Sequence, residues 1–139
     1  YAEFFGKEMA KFADLENIPK VDFVVPVPIH KIKQRDRGYN QSGRIADVYC
    51  RERDEIRIDL LERTLKTKPQ SSLKRAGRIK NIKGAFTYRD CGVSIKGKSI
   101  LIMDDIYTTG STVDECAKVL KKAGAGEVYV FCLCISDVD

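Results

Sequence analysis

The 139 residues carry 25 Lys and Arg against 20 Asp and Glu, for a net charge of +5, and 43% of them are hydrophobic. That length suits one domain, 1–139, able to bury roughly two-thirds of the surface its unfolded form exposes. No apolar run is long enough to span a membrane and nothing resembles a signal peptide, and a cytoplasmic protein is expected. Cys50, Cys91, Cys116, Cys132 and Cys134 are odd in number, widely spread and without a C-x-x-C pair. That argues for reduced thiols in place of a disulfide framework or a zinc site. Because the chain begins at Tyr1 and ends soon after a strand-like run, it reads as an excerpt of a longer one.

The first 15 residues place Phe5, Met9 and Phe12 at helical spacing, with Phe4 and Ala13 beside them. They predict an amphipathic helix whose aromatic stripe faces the core, ended by Asn17 and Pro19. Residues 21–27 predict a strand that leaves the sheet at Pro26-Val27-Pro28, since closely spaced prolines cannot sit inside a central strand. A rigid exit loop at a strand's C-terminal end is where open parallel sheets bind ligands; a plain Pro-rich turn is the alternative when this segment is taken alone. His30, the single histidine, assembles no catalytic triad or metal set.

Arg37-Gly38-Tyr39-Asn40-Gln41 leads into a helix with Ile45, Ala46, Val48 and Tyr49 on its apolar face. Leu60 and Leu61 predict a short strand, and residues 64–83 a long loop of the kind that serves as a functional lid. From Arg63 to Lys83 there are eight Lys or Arg and no acid, and Lys31, Lys33, Arg35 and Arg37 form a second basic cluster. An anionic partner fits both, either the phosphates of a small ligand or a nucleic-acid backbone; a solvated surface accounts for any one of these charges. Residues 85–88 predict a returning strand, with a turn at 90–92.

Residues 100–112 read ILIMDDIYTTGST. Ile100, Leu101, Ile102 and Met103 suit a strand buried on both faces, and Asp104 and Asp105 follow where it emerges from the sheet. Thr108, Thr109, Gly110, Ser111 and Thr112 then form a loop able to approach a phosphate closely: unpaired helix N-terminal amides attract anions, and glycine leaves the approach open. Carboxylates just upstream repel phosphate but accept hydrogen bonds from sugar hydroxyls, so the ordered set points to a sugar phosphate. Val113, Cys116, Ala117, Leu120 and Ala123 predict the next helix, capped near Gly124, and residues 128–135 a further buried strand. The sum is an α/β chain with a parallel sheet and helices on its faces.

This thirteen-residue pattern resembles the phosphoribosyl pyrophosphate (PRPP) signature of type I phosphoribosyltransferases. Together with PVP, RGYNQ, then Arg63, Gln70, Leu73, Arg78 and Asn81 ahead of Gly84-Ala85-Phe86, it resembles the ComF family of bacterial competence over about residues 22–135. The resemblance implies a type I phosphoribosyltransferase fold, a Rossmann-like parallel sheet flanked by helices with a flexible basic lid. It implies PRPP as ligand, with ribose hydroxyls on Asp104 and Asp105 and the 5-phosphate on Thr108, Thr109, Gly110, Ser111 and Thr112. The diphosphate would lie near Pro26, Val27, Pro28, Arg37, Lys68 and Arg78, with Mg2+ reaching Asp104 and Asp105 only indirectly, through PRPP.

Single-stranded DNA or the competence machinery are the further partners implied, and a homodimer is a candidate assembly. Two alternatives stand beside ribose 5-phosphate transfer to an unidentified acceptor: nucleobase salvage, and a non-catalytic PRPP-sensing or nucleic-acid-binding accessory role. The 6-oxopurine transferases carry an Asp where this sequence has Thr108, which counts against hypoxanthine or guanine as acceptor. The cysteine-rich zinc segment common in ComF proteins is not found in these residues.

Overall fold

A computed structural model describes residues 1–29, 40–64, 76–77, 82–107 and 109–136. In chain order the elements are α1 (Ala2–Leu15), β1 (Phe23–Pro26), α2 (Gln41–Arg53), β2 (Leu61–Arg63), β3 (Phe86–Tyr88), β4 (Ile100–Tyr107), α3 (Ser111–Lys122) and β5 (Val128–Ile135). Strands β1, β4 and β5 form a parallel sheet in that order, and β2 pairs antiparallel with β3 in a separate ribbon. The α/β class with helices on both sheet faces is therefore as the sequence predicts.

Alternation along the strands decides which face each residue serves. Val24, Leu101 and Met103 turn toward α1 and α2, joining Met9, Ala13, Ile45, Ala46 and Tyr49. Val25, Ile100 and Ile102 turn the other way, joining Val113, Cys116 and Leu120 of α3 and Leu61 and Phe86 of the ribbon. Residues 100–103 are all buried, each side chain contributing roughly 1.5–3 kcal/mol through removal from water. A continuous apolar run thus becomes the central strand.

Three predicted features differ in the structure. The buried face of α1 is Gly6, Met9, Ala10 and Ala13, while Phe4 and Phe12 are 61% and 52% exposed. Close approach to α2 decides this rotation: a Cβ on Gly6 would lie 2.5 Å from the Cβ of Val48, so only glycine fits at the contact point and that face turns inward. Strand β5 is not buried on both faces, since Tyr129 and Val130 are each more than 40% exposed at the sheet's edge. Finally β1 is shorter than 21–27, because the amide of Val21 donates to Glu55 Oε1 (2.8 Å) and that of Asp22 to Ser99 Oγ (2.9 Å).

The end of β1 follows from proline chemistry. Val24 exchanges hydrogen bonds with Ile56 and Ile58 along the outer edge (2.8 and 3.0 Å). Two residues on, Pro26 faces the same edge without an N–H, and pairing stops. The C-terminus of α2 is anchored by Arg53, whose guanidinium donates to Asp14 Oδ1 (2.7 Å), Glu55 Oε2 (2.8 Å) and the carbonyl of Ile18 (2.7 Å). Both the Arg53 and Glu55 side chains are almost fully buried. Helix α3 closes with the amides of Ala125 and Gly124 on the carbonyls of Leu120 and Lys121, a Schellman arrangement near the predicted cap.

Candidate functional site

The site forms where β4 outruns β1. Pro26 pairs with Met103, and beyond that point β4 continues to Tyr107 with only β5 beside it in the sheet. Asp104 and Asp105 are thus strand residues, and they line different cavities although their carboxyl groups stay within reach of each other. Asp105 lines a cavity of about 990 Å³ with Tyr1, Glu3, Gln41, Arg44 and Asp47. Asp104 instead lines a narrow pocket with Ile106, Tyr107, Gly110, Thr112 and Val113.

Asp104 Oδ1 accepts hydrogen bonds from Ser42 Oγ (3.1 Å) and from the amide of Asp105 (2.9 Å). Burial pushes its carboxyl up to about 7, the negative charge of Asp105 adds to the rise, and the Ser42 and amide bonds pull partly back. Arg63 is stacked over Phe86 at 5.6 Å and lies within electrostatic reach of Asp104; burial holds its guanidinium below the usual arginine value. Cys116 packs nearby, its thiol pushed well above the ordinary range by burial and then by Asp104. Such a thiol is inert.

The loop after β4 is short and internally bonded. Thr109 Oγ1 donates to Ser111 Oγ (2.8 Å) and accepts from the Ser111 amide (3.2 Å). Gly110 is the N-cap of α3 at φ +82 and has no side chain to cap with, so among the first amides of the helix that of Ser111 is taken by Thr109 Oγ1. Thr112 lines the same narrow pocket as Asp104, so the predicted phosphate loop and one of the two acids do meet. Thr108 lies outside the described residues, as do Arg37, Lys68 and Arg78 and most of the predicted lid.

The backbone of the predicted diphosphate loop is engaged within the fold where it is described. Pro26 and Pro28 have no N–H, and the amide of Val27 donates to the carbonyl of Met103 (2.9 Å) while its side chain is buried. This tripeptide therefore has no amide to offer an anion. Asn40 Nδ2 donates to the Val27 carbonyl (3.2 Å), tying the exit of β1 to the start of α2. Pro26 and Pro28 also wall a cavity of about 280 Å³ that receives Arg57, Arg63 and Arg89.

Several site residues carried no assigned role from sequence. Asn40 and Gln41 fall in the RGYNQ stretch, which marks the neighbourhood without naming the contacts, and Ser42 follows directly. Arg57, Arg63 and Arg89 have no shared motif; β2–β3 pairing brings Arg63 and Arg89 together, and the bridge of Arg57 to Val24 adds the third. Among the described residues no three His, Cys, Asp or Glu are grouped to hold a metal.

A model of the phosphoribosyl transferase domain matches residues 61–138, more than half of the chain. The chain belongs to the phosphoribosyl transferase domain family. Within that family it is of the ComF type. This phosphoribosyl transferase domain is 35% identical over 118 residues to DNA utilization protein YhgH of Escherichia coli O6:H1, covering 81% of this chain and 49% of that protein. It is 33% identical over 133 residues to competence protein ComFC of Streptococcus pneumoniae, covering 96% of this chain and 54% of that protein. The chain spans about half the length of the relatives it matches.

Among solved structures the phosphoribosyl transferase domain is similar to glutamine PRPP amidotransferase from B. subtilis, with a TM-score of 0.63, 22% identity, and coverage of 95% of this chain and 26% of that one. At that identity the likeness concerns the fold, which is the type I phosphoribosyltransferase fold.

Proposed function

We propose that this domain binds PRPP at the C-terminal ends of β1 and β4 and serves bacterial DNA uptake, transferring ribose 5-phosphate to an acceptor. The observation that carries the reading is the continuous run of β4, its acidic pair, the Gly110 turn and the start of α3, where the N-cap glycine offers no side chain and Thr109 holds the Ser111 amide. A helix N-terminus presents unpaired amides and about half a positive charge to a phosphate. Thr109, Gly110, Ser111 and Thr112, with Thr108, receive the 5-phosphate, and Asp104 and Asp105 receive ribose hydroxyls. Relatives named for competence and DNA utilization support the link to DNA uptake.

Transfer breaks the anomeric C–O bond, leaving positive charge on the ribose ring and negative charge on the departing diphosphate. Arg63 and the arginines beside Pro26 and Pro28 are the described cations nearest the predicted diphosphate end, and fixed cations facing a developing anion are the usual largest contribution in such sites. Mg2+ fits as an ion carried by the diphosphate: the two carboxylates open into different pockets and supply too few oxygens for a resident octahedral site. The chemistry it would supply is neutralisation of the leaving group.

Incubation with PRPP, Mg2+ and a pool of nucleobases, read as pyrophosphate release, tests transfer. Turnover with one base supports the enzyme and names its acceptor. Calorimetric binding of PRPP without turnover for any base supports the accessory role in its place. The basic run from Arg63 to Lys83 favours that second reading, in which the domain contacts nucleic acid while PRPP reports metabolic state.

A further inference from the structure

We infer that Ser42 is a positioning residue for PRPP recognition, acting through Asp104; the inference rests on the PRPP reading above and assigns a part of that site. Ser42 stands in the first turn of α2, is 4% exposed, and directs its hydroxyl at Asp104 Oδ1 (3.1 Å). The same oxygen accepts the Asp105 amide at 2.9 Å. With Oδ1 engaged twice, the carboxyl group cannot rotate freely. Ser42 is buried and Asp104 partly so, and a hydrogen bond to a carboxylate is among the stronger a protein makes.

Ser42 is itself held from several sides. Asn40, two residues before it, donates to the Val27 carbonyl at 3.2 Å. Arg57 Nη1 donates to the carbonyl of Gly43 (2.9 Å) and to Asp47 Oδ1 (2.6 Å). These bonds fix the first turns of α2 against the exit of β1, so the Ser42 hydroxyl meets Asp104 without having to be ordered on binding. Helix α2 has no side-chain cap, and its N-terminal amides add a positive field on the same side. One short segment, Asn40 to Gly43, thus sets the relative position of the β1 exit loop and the acidic pair. A ligand spanning both needs that spacing constant.

The test is a double-mutant cycle in the protein as it stands. PRPP affinity with Mg2+ is measured by calorimetry for wild type, Ser42→Ala, Asp104→Asn and the double variant, with Ser42→Thr as the hydroxyl-retaining control and thermal midpoints recorded without ligand. Ser42→Ala is expected to weaken PRPP binding about tenfold in the wild-type background and less than about twofold beside Asp104→Asn, as follows when a charge-assisted bond to that one carboxylate is lost. Ser42→Thr is expected to restore most of the affinity.

A merely structural Ser42 would lower affinity by the same factor in both backgrounds, and that result overturns the inference, as does unchanged affinity for Ser42→Ala. If wild type itself gives no PRPP isotherm, the donor-site reading fails and the inference with it. Wild-type binding with an indifferent Ser42→Ala removes the inference alone.

Discussion

The hydroxyl of Tyr107 lies 2.5 Å from where a Cβ on Gly110 would be. Gly110 also sits at φ +82, a conformation L side chains rarely adopt, so the backbone demands glycine here, whereas the partly exposed Tyr107 ring could swing aside. Gly110→Ala is expected to destabilise the fold by about 1–2 kcal/mol and to abolish detectable PRPP binding by pushing the turn away from α3. Urea titration and calorimetry on the same preparation check both effects.

Asp105 opens onto the large cavity beside Gln41 and Arg44. If ribose hydroxyls bind there, Asp105→Asn loses a charge-assisted contact of roughly 1.5–3 kcal/mol, and PRPP affinity should fall about ten- to a hundredfold. Calorimetry with unchanged affinity would remove Asp105 from the site.

The buried carboxyl of Asp104 gives stability a defined pH dependence. Its value rises from 3.8 in the free side chain to about 7 in the folded chain, chiefly through burial. Between those values the folded state holds a proton that the unfolded state has released, so this group makes stability fall as pH rises through the window. Ligand-free unfolding free energies measured across that range should decline for wild type and flatten in Asp104→Asn, which should be the more stable of the two at the alkaline end. A slope that Asp104→Asn leaves intact would assign the effect to other groups.

Arg53 and Glu55 are a buried ion pair at 2.8 Å, joined by Asp14 and the Ile18 carbonyl. Arg53→Ala strands Glu55 without its cation and is expected to cost about 3–5 kcal/mol. Removing both charges with Arg53→Met and Glu55→Gln should recover much of that loss. Chemical denaturation of the three proteins decides it; equal losses for the single and double variants would mean that packing, not charge, dominates.

A nucleic-acid role makes its own prediction, from sequence alone. Neutralising Lys74, Arg75 and Arg78 should flatten the dependence of single-stranded DNA binding on salt, since each phosphate contact adds nearly one to the slope. An unaltered slope in a fluorescence titration would place DNA elsewhere.

Much of the fold was legible because it is local. The apolar run of 100–103, the Gly110 turn and the amphipathic α3 are encoded by neighbours in sequence, where strand and helix periods and cap chemistry act over a few residues. The acidic pair and hydroxyl loop could be read for the same reason. What the local pattern could not decide was orientation. The aromatic residues of α1 suggested a core stripe, yet Phe4 and Phe12 face outward because Gly6 must meet Val48. The apolar run of β5 suggested burial, yet its edge position exposes Tyr129 and Val130.

The site divides along the same line. Sequence alone determined which residues could face a sugar phosphate, since adjacent carboxylates before a glycine turn are chemistry written in order. Only the tertiary structure decided that Asp104 and Asp105 open into different pockets, that the Val27 amide is already engaged by Met103, and that Ser42, 62 residues before Asp104, holds that carboxylate. The physical reason is that sheet pairing and helix docking bring residues distant in sequence within 3.1 Å of each other.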